Sequence, residues 1–493
     1  MKYILGIDIG TGSTKAVAVG ADCQPLRSEQ QHYPTVSSKP GYSEQNPELI
    51  WKAFVQCVLQ VVDEQGSLPE AVSLSSAMHS LIAVDRQGIA LAPMMTWADA
   101  RSAEIGEQLR ATETGMRIYR STGTPIHAMS PLCKLIWLYD NQQEVFNKAY
   151  KFISIKEYIW FRLFGAYEID HSIASCTGLF NIINLDWDTE ALGLAKVLPE
   201  RLSRPVRTGY LRKGLAPSAS SLSALDEIPF VIGASDGCLA NLGTAAIAPG
   251  TAALTIGTSG AIRVVSKHPV FSDAMTFSYL LDEQTYICGG PVNNGGVTLQ
   301  WLLKNILGKP ELSAADYDAL FARIDNVKAG SDGLLFLPYL SGERAPIWDA
   351  SSCGTFFGLR LQHHQSHLAR AVLEGVCYAL KDVLDAVAQH TTTINQIHVS
   401  GGFVHSRVWM QVLSDITGKE LVLLQTEDAS AVGAAYLAMK AIGIEITSPT
   451  AEDKTVIRPD LKNHQLYLDN FSIYKQLYQD LKSSMHRLQE LNR

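Results

Sequence analysis

Two stretches of this chain, almost half its length apart, share one order of apolar and polar positions. KYILGIDIGTGSTKAVAVG runs from Lys2 to Gly20, and TAALTIGTSGAIRVVSK from Thr251 to Lys267. Each is an apolar run of β type, then Ile-Gly-Thr with small hydroxyl and glycine residues, then a second β-type run. That pattern predicts a β-hairpin whose turn is lined with backbone N–H and hydroxyl groups. Ile9 and Ile256 stand 256 − 9 = 247 residues apart in a chain of 493. The spacing predicts a duplicated domain, with halves at 1–245 and 246–493.

Strand-like and helix-like periods then alternate. INQIHVSGG reads as a strand, HSRVWMQVLSDITG as an amphipathic helix, KELVLLQ as a strand and SAVGAAYLAMKAIG as a helix packed through small residues. Such alternation predicts an α/β protein whose sheets are covered by helices on both faces. Gly209 to Pro229, rich in Ser, Ala, Leu and Gly, reads as surface connection. Thr447 to about Asn470 carries no pattern, and FSIYKQLYQDLKSSMHRLQEL closes the chain as an amphipathic helix.

Composition narrows the function classes. With 46% apolar and 18% charged residues the chain is a packed globular protein. Its 41 basic and 49 acidic residues give 41 − 49 = −8, without the basic footprint of a nucleic-acid binder. No window approaches the roughly 18 apolar residues of a spanning helix, so no membrane partner is expected. The eight cysteines stand singly with no Cys-x-x-Cys pair, which predicts a reducing, cytoplasmic setting and no zinc site.

The hairpin turns carry the first candidate chemistry. Asp8 ends an apolar strand, and Gly10, Thr11, Gly12, Ser13, Thr14 and Lys15 follow. Glycines let the backbone approach an anion, and hydroxyl and turn N–H groups donate to phosphate oxygens. Lys15 adds a positive charge, and Asp8 can hold Mg²⁺ through its water shell. A single such cluster reads first as an ordinary turn. The second copy at Gly257, Thr258, Ser259 and Gly260 reverses that reading and predicts two turns clamping one nucleotide. The spacing fits neither a G-x-G-x-x-G turn nor a P-loop.

FVIGASDGCLANLG places Asp236 after an apolar strand and before a helix, where an N-terminus favours the ionised carboxylate. As a base it could accept a hydroxyl proton while phosphate transfers. An N-cap aspartate is the competing reading, and the position just ahead of the second hairpin favours catalysis. VSGGFVHSR forms a βα turn at Gly401 and Gly402 over which a flat base could slide, with Ser406 in reach; a bare tight turn explains it equally well.

Together with MSPLCKLIWLYDN (Met129 to Asn141) and GTFFGLRLQHHQSHLARAVLEG (Gly354 to Gly375), these elements resemble the FGGY family of carbohydrate kinases, within the actin-like ATPase superfamily. The resemblance runs from residue 3 to about residue 445. It implies two ribonuclease H-like domains around a central cleft and transfer of phosphate from ATP with Mg²⁺. It also implies Asp8 as the magnesium-linked aspartate, Thr11, Gly12, Ser13 and Lys15 as the first phosphate loop, and Thr258 as the second. Asp236 matches the family's catalytic base, and Gly296, Gln300, Gly402 and Ser406 its nucleotide contacts.

AMHSLIAVD, MTWADARS and TGTPIHAMSPLCKL are similar to gluconate kinases of this family more than to its glycerol kinases. In those the pattern commonly continues Pro-Ile-His-Pro-Met, where this chain has Ala128. The implied reaction is D-gluconate to 6-phosphogluconate. A sugar acid needs a cation or several N–H donors at its carboxylate, and His79, Arg101, His127, Lys134 and Arg344 are candidates, with Asp99 to accept hydroxyl protons. Core histidines, a structural Lys134 and an Arg344 that braces a loop are the competing readings. His363, His364 and His367 have no interleaved carboxylate and read as a solvated helix start. Xylulose or another pentulose is the alternative acceptor, and an actin-like or chaperone-type ATPase switch the alternative class. Expected partners are ATP and a small sugar or sugar acid, with self-association into a homodimer left open.

Overall fold

The two repeated hairpins lie at the centres of two sheets of one plan. The computed structural model describes residues 2–309, 311–423, 428–444 and 455–491. In the first half, β1 (Tyr3–Ile9), β2 (Ser13–Gly20), β3 (Pro25–His32), β4 (Ala71–Ser76), β5 (Leu211–Arg212) and β6 (Phe230–Ser235) form a sheet in the order β5-β6-β4-β1-β2-β3. In the second, β7 (Thr251–Ile256), β8 (Gly260–Ser266), β9 (Phe277–Asp282), β10 (Thr285–Val292), β11 (Gln396–Ser400), β12 (Glu420–Leu423) and β13 (Thr455–Ile457) take the order β9-β10-β8-β7-β11-β12-β13.

In both sheets an antiparallel set, three strands in the first and four in the second, meets two parallel strands across the first strand of the hairpin, and an antiparallel strand closes the edge. This is the two-domain ribonuclease H-like architecture of the actin-like ATPases. β1 and β7 are central, so their residues are almost wholly buried. Their carboxyl ends, which carry the two turns, open onto the edge where ligands sit in such sheets.

The helices used below are α1 (Pro47–Gln65), α2 (Pro131–Asn141), α3 (Ile155–Phe164), α4 (Asp236–Gly243), α5 (Gly296–Trp301), α6 (Gln365–Ala388), α7 (Arg407–Thr417), α8 (Ala429–Ala441) and α9 (Leu461–Leu491). α1 shows why such segments become helices. Asn46 caps its N-terminus through the Glu48 N–H, Gly66 ends it in the left-handed region, and Trp51, Phe54, Cys57, Val58 and Val61 form its buried stripe.

α8 belongs in sequence to the second half yet covers the first sheet. Its Ala431, Val432, Ala435 and Met439 pack with Ile4, Val17, Val19, Ala71 and Val231. Burying Val432 and Met439 contributes roughly 1.5–3 kcal/mol each. α8 also crosses α4 in antiparallel contact. A Cβ on Gly433 would stand 2.0 Å from Leu239 O, and one on Gly243 2.0 Å from Ala429 O. The two halves are therefore laced together, not merely adjacent.

Two expectations need correction. Gly209 to Pro229 is not simple surface connection: it holds β5 and a 3₁₀ segment, Pro217–Leu225, that buries Ala219, Leu222 and Leu225. The stretch before the terminal helix is not patternless. β13 extends the second sheet, and α9 begins ten residues early at Leu461. Polar docking explains the early start: Tyr467 OH donates to Glu374 Oε1 at 2.7 Å and accepts from Arg370 at 2.9 Å. Residues 447–454 lie outside the described residues. All eight cysteines are free thiols, and no described helix is long and apolar enough to cross a membrane.

Candidate active site

In the first turn Ile9 pairs with Thr14, which leaves Gly10, Thr11, Gly12 and Ser13 between the strands. The Gly10 N–H donates to Ser13 O at 2.9 Å, and Tyr33 OH donates to Gly10 O at 2.6 Å. Thr11 is held from two sides: Trp97 Nε1 donates to its Oγ1 at 2.9 Å and Gln45 Nε2 to its carbonyl at 2.5 Å. Ser13 Oγ accepts from Gln30, and Gly12 is exposed.

The second turn is one residue shorter. Ile256 pairs with Gly260, leaving Gly257, Thr258 and Ser259. The start of α5 backs it: the Gly296 N–H donates to Gly257 O at 2.8 Å and the Val297 N–H to Thr258 O at 3.2 Å. A Cβ on Gly296 would stand 2.8 Å from Gly257 O, so only glycine lets α5 approach this closely. Gly257 and Thr258 are left exposed; the Gly257 N–H closes the turn by donating to Ser259 O at 2.9 Å, and the Thr258 N–H and hydroxyl can meet phosphate oxygens.

Asp8 and Ser75 are register partners on β1 and β4, and Ser75 Oγ donates to Asp8 Oδ1 at 2.7 Å. Thr255 and Ser400 hold the equivalent places in the second half, hydroxyl to hydroxyl at 3.0 Å. The repeat thus keeps the polar pair and places a carboxylate in one copy only. Burial and the neighbouring Asp236 push the Asp8 carboxyl up to about 7 against the Ser75 hydrogen bond, and Asp428 adds to the shift. A divalent cation would relieve that crowding of acids, so the donor set fits Mg²⁺.

Asp236 is the first residue of α4 and accepts from the Gly237 N–H at 2.6 Å. The helix was expected to hold it ionised. Burial acts the other way and raises its pKa, with Arg263, the Gly237 N–H and Lys156 opposing. The competing N-cap reading also gives way, because Ser235 occupies the cap position.

A cavity of about 300 Å³ joins these parts. Asp236, the second turn at Gly257, Ser259 and Gly260, and His79, Trp97, Arg263, Tyr279 and Arg344 line it. Trp97 is the residue that grips Thr11. The second turn lines the cavity itself, and the first is tied to its wall through Trp97.

The acceptor candidates divide. His79 lines the cavity at φ 65, and its Nδ1 lies 2.7 Å from Cys176 O. A carbonyl only accepts, so Nδ1 carries the proton. Burial lowers the His79 pKa to about 3, which leaves Nε2 a bare acceptor 3.4 Å from Tyr279 OH. His79 suits a hydroxyl proton and not a carboxylate, contrary to the sequence reading. Burial also lowers His127 to about 3. Its Nδ1 accepts the Met129 N–H at 3.1 Å, so Nε2 carries the proton and can donate.

Asp99 and Arg101 bind each other instead of a ligand. Arg101 donates to both Asp99 oxygens at 2.8 and 2.7 Å and to Glu44 at 2.6 Å, and its guanidinium lies 3.7 Å from the Tyr42 ring centre. Neither lines the cavity. Lys134, fully buried on α2, donates to His79 O at 2.6 Å and Thr96 O at 2.7 Å. It holds the two segments that carry His79 and Trp97. Arg344 does face the cavity, with its guanidinium 5.2 Å from the Trp97 ring centre.

On the nucleotide side Gln300 is exposed on α5 and Gly402 has open space around it. Ser406 caps α7 by accepting the Trp409 N–H at 3.2 Å, so its lone pairs serve the helix. Lys15 reaches Asp428 instead of open cleft, at 2.5 Å. Sequence reasoning singled out neither Asp428 nor Arg263. His364 caps α6, His367 lies 3.1 Å from Asp332, and no group of three metal-ligating side chains stands together among the described residues.

Family models described as the N-terminal and C-terminal domains of the FGGY family of carbohydrate kinases match residues 3–243 and 252–442. The chain is 42% identical over 455 residues to a gluconokinase of Bacillus subtilis (strain 168), covering 90% of this chain and 88% of that one. Among solved structures, a gluconate kinase from Lactobacillus acidophilus superposes with a TM-score of 0.94 at 33% identity, covering 99% of both chains. A ligand-bound xylulose kinase from the same organism also reaches 0.94, at 34% identity over 99% of this chain and 100% of that one. Backbone shape alone does not separate the two acceptors.

Proposed function

This chain belongs to the FGGY family of carbohydrate kinases, and from that premise we propose that it transfers the γ-phosphate of ATP to the terminal hydroxyl of D-gluconate, giving 6-phosphogluconate. The observation that carries the transfer is the sharing of one cavity by Asp236 and the second turn. The base and the phosphate donors stand on the same reacting centre.

Asp236 accepts the proton of the attacking hydroxyl as the phosphoryl group leaves ATP. The N–H and hydroxyl groups of Thr11, Gly12 and Thr258 orient the phosphates, and Lys15 supplies positive charge beside them. Asp8 is the residue that would hold Mg²⁺, whose chemistry there is neutralising phosphate charge. Gly402, Gln300 and Ser406 border the place for the base. His79 Nε2 accepts from a hydroxyl of the acceptor, and His127 Nε2 donates to one. Closing of the cleft keeps water from replacing the sugar.

Gluconate is favoured over a pentulose by the 42% identity to a gluconokinase and by the guanidinium groups in the cavity, which a neutral ketose does not need. An ATPase switch is disfavoured because Met78, His79 and Trp97 line the cavity beside the base, where an acceptor would sit. The test is a panel of sugar acids, ketoses and polyols assayed with ATP and Mg²⁺. Gluconate is expected to give the highest kcat/KM. A preference for xylulose would overturn the acceptor, and nucleotide hydrolysis that no panel member stimulates would overturn the kinase.

A further inference from the structure

We propose that Arg263, with Arg344 beside it, forms the acid-recognising end of the acceptor cavity, so that Arg263 selects a sugar acid over a neutral sugar; this rests on the acceptor reading above. Arg263 is the one charged residue in β8, GAIRVVS. It pairs with Ala253, and its counterpart in the first half is Val17, which pairs with Gly6 and is fully buried. The repeat shows that this strand position packs well with an apolar side chain. A guanidinium there is costly to desolvate unless something pairs with it.

The acid whose charge most supports Arg263 is Asp236, the base itself, and it does not close an ion pair on the guanidinium. Among the described residues neither guanidinium joins an ion pair. Arg344 donates from Nη2 to Val292 O at 3.2 Å, while its buried Nε has no partner. Its neighbour Glu343 is already engaged by the N–H groups of Asn293, Asn294 and Arg344. Arg263 lies against the Gly237 backbone, where a Cβ on Gly237 would stand 3.0 Å from its Nε. The two cations line one cavity and repel each other.

Two guanidiniums that repel and hold no hydrogen-bonded carboxylate are relieved by one planar anion, and their fork geometry matches a carboxylate. The terminal phosphate of ATP is the other anion that reaches this cavity. The acceptor's carboxylate is the better match, because the phosphate has the donors of the two turns, whereas the acceptor has no other cation: His79 is a hydrogen-bond acceptor and Arg101 is bound to Asp99 and Glu44.

The test compares D-gluconate with D-gluconamide, which keeps the chain and hydroxyls and removes the charge, in wild type, Arg263→Met and Arg263→Lys, with Arg344→Met as a second variant. Wild type is expected to prefer gluconate by about 100-fold or more in kcat/KM, the scale of losing a partner for buried charge. In Arg263→Met that preference should collapse to within about threefold, with partial recovery in Arg263→Lys and an unchanged KM for ATP. Equal losses on both acceptors, or a raised KM for ATP as the main effect, would assign Arg263 to the phosphate or the base and overturn the proposal. A wild type that leaves gluconate unphosphorylated would overturn the acceptor reading itself, and this inference with it.

Discussion

Lys15 Nζ lies 2.5 Å from Asp428 Oδ1, which ties the strand after the first turn to the foot of α8. Asp428 holds φ 60, a left-handed conformation that costs energy for a non-glycine residue and is kept only where the surroundings fix it. In this state the ammonium proposed for phosphate is neutralised by an acid of the second half. On the proposed role of Lys15, phosphate and Asp428 compete for one ammonium.

The first prediction separates those roles. Lys15→Met should lower kcat/KM for ATP by about 100-fold, the scale of losing one preorganised donor. Asp428→Asn removes only the competitor and should change it by less than about tenfold. Steady-state kinetics with ATP varied provides the check. If Asp428→Asn costs as much as Lys15→Met, the lysine acts as a tie between halves and not on phosphate.

Asp8 predicts the pH profile. Its carboxyl is pushed up to about 7 by burial and by Asp236, so the free enzyme should lose kcat/KM for ATP as pH falls through 7. Ser75→Ala removes a hydrogen bond to the charged form and should move that limb higher. A limb that stays near 4 would contradict the crowding. The same shift bears on stability. The native state holds this proton between roughly pH 4 and 7 while the unfolded chain does not, so this group makes the native state less stable as pH rises through that window.

Lys134 should act without touching either substrate. Burial lowers its pKa to about 7, with Asp99 opposing, and it satisfies the carbonyls of His79 and Thr96. Lys134→Met leaves both unpaired, at about 1–3 kcal/mol for each buried group. Thermal unfolding should register the loss, and KM for the acceptor should rise while KM for ATP holds. Equal effects on both KM values would show that the lysine supports the domain as a whole.

What the sequence made legible was local. Both hairpins, the helices α7 and α8 and the place of Asp236 follow from short-range periodicity and turn chemistry, because β1, β7 and the turns are built by neighbours in sequence. What it hid was contact across the chain. The capture of Arg101 by Glu44, the reach of Lys15 to Asp428 and the seating of α8 on the first sheet depend on residues far apart. Arg263 did leave a signal: one charge inside an apolar strand whose repeat has valine at the same place.

The base is the claim on which the rest depends. Asp236→Asn keeps a side chain of the same shape at the head of α4 while removing its power to accept a proton. Calorimetric titration with ATP, paired with turnover on gluconate, should show ATP affinity within about threefold of wild type and kcat lower by at least about 100-fold. Turnover close to wild type in that variant would contradict the account.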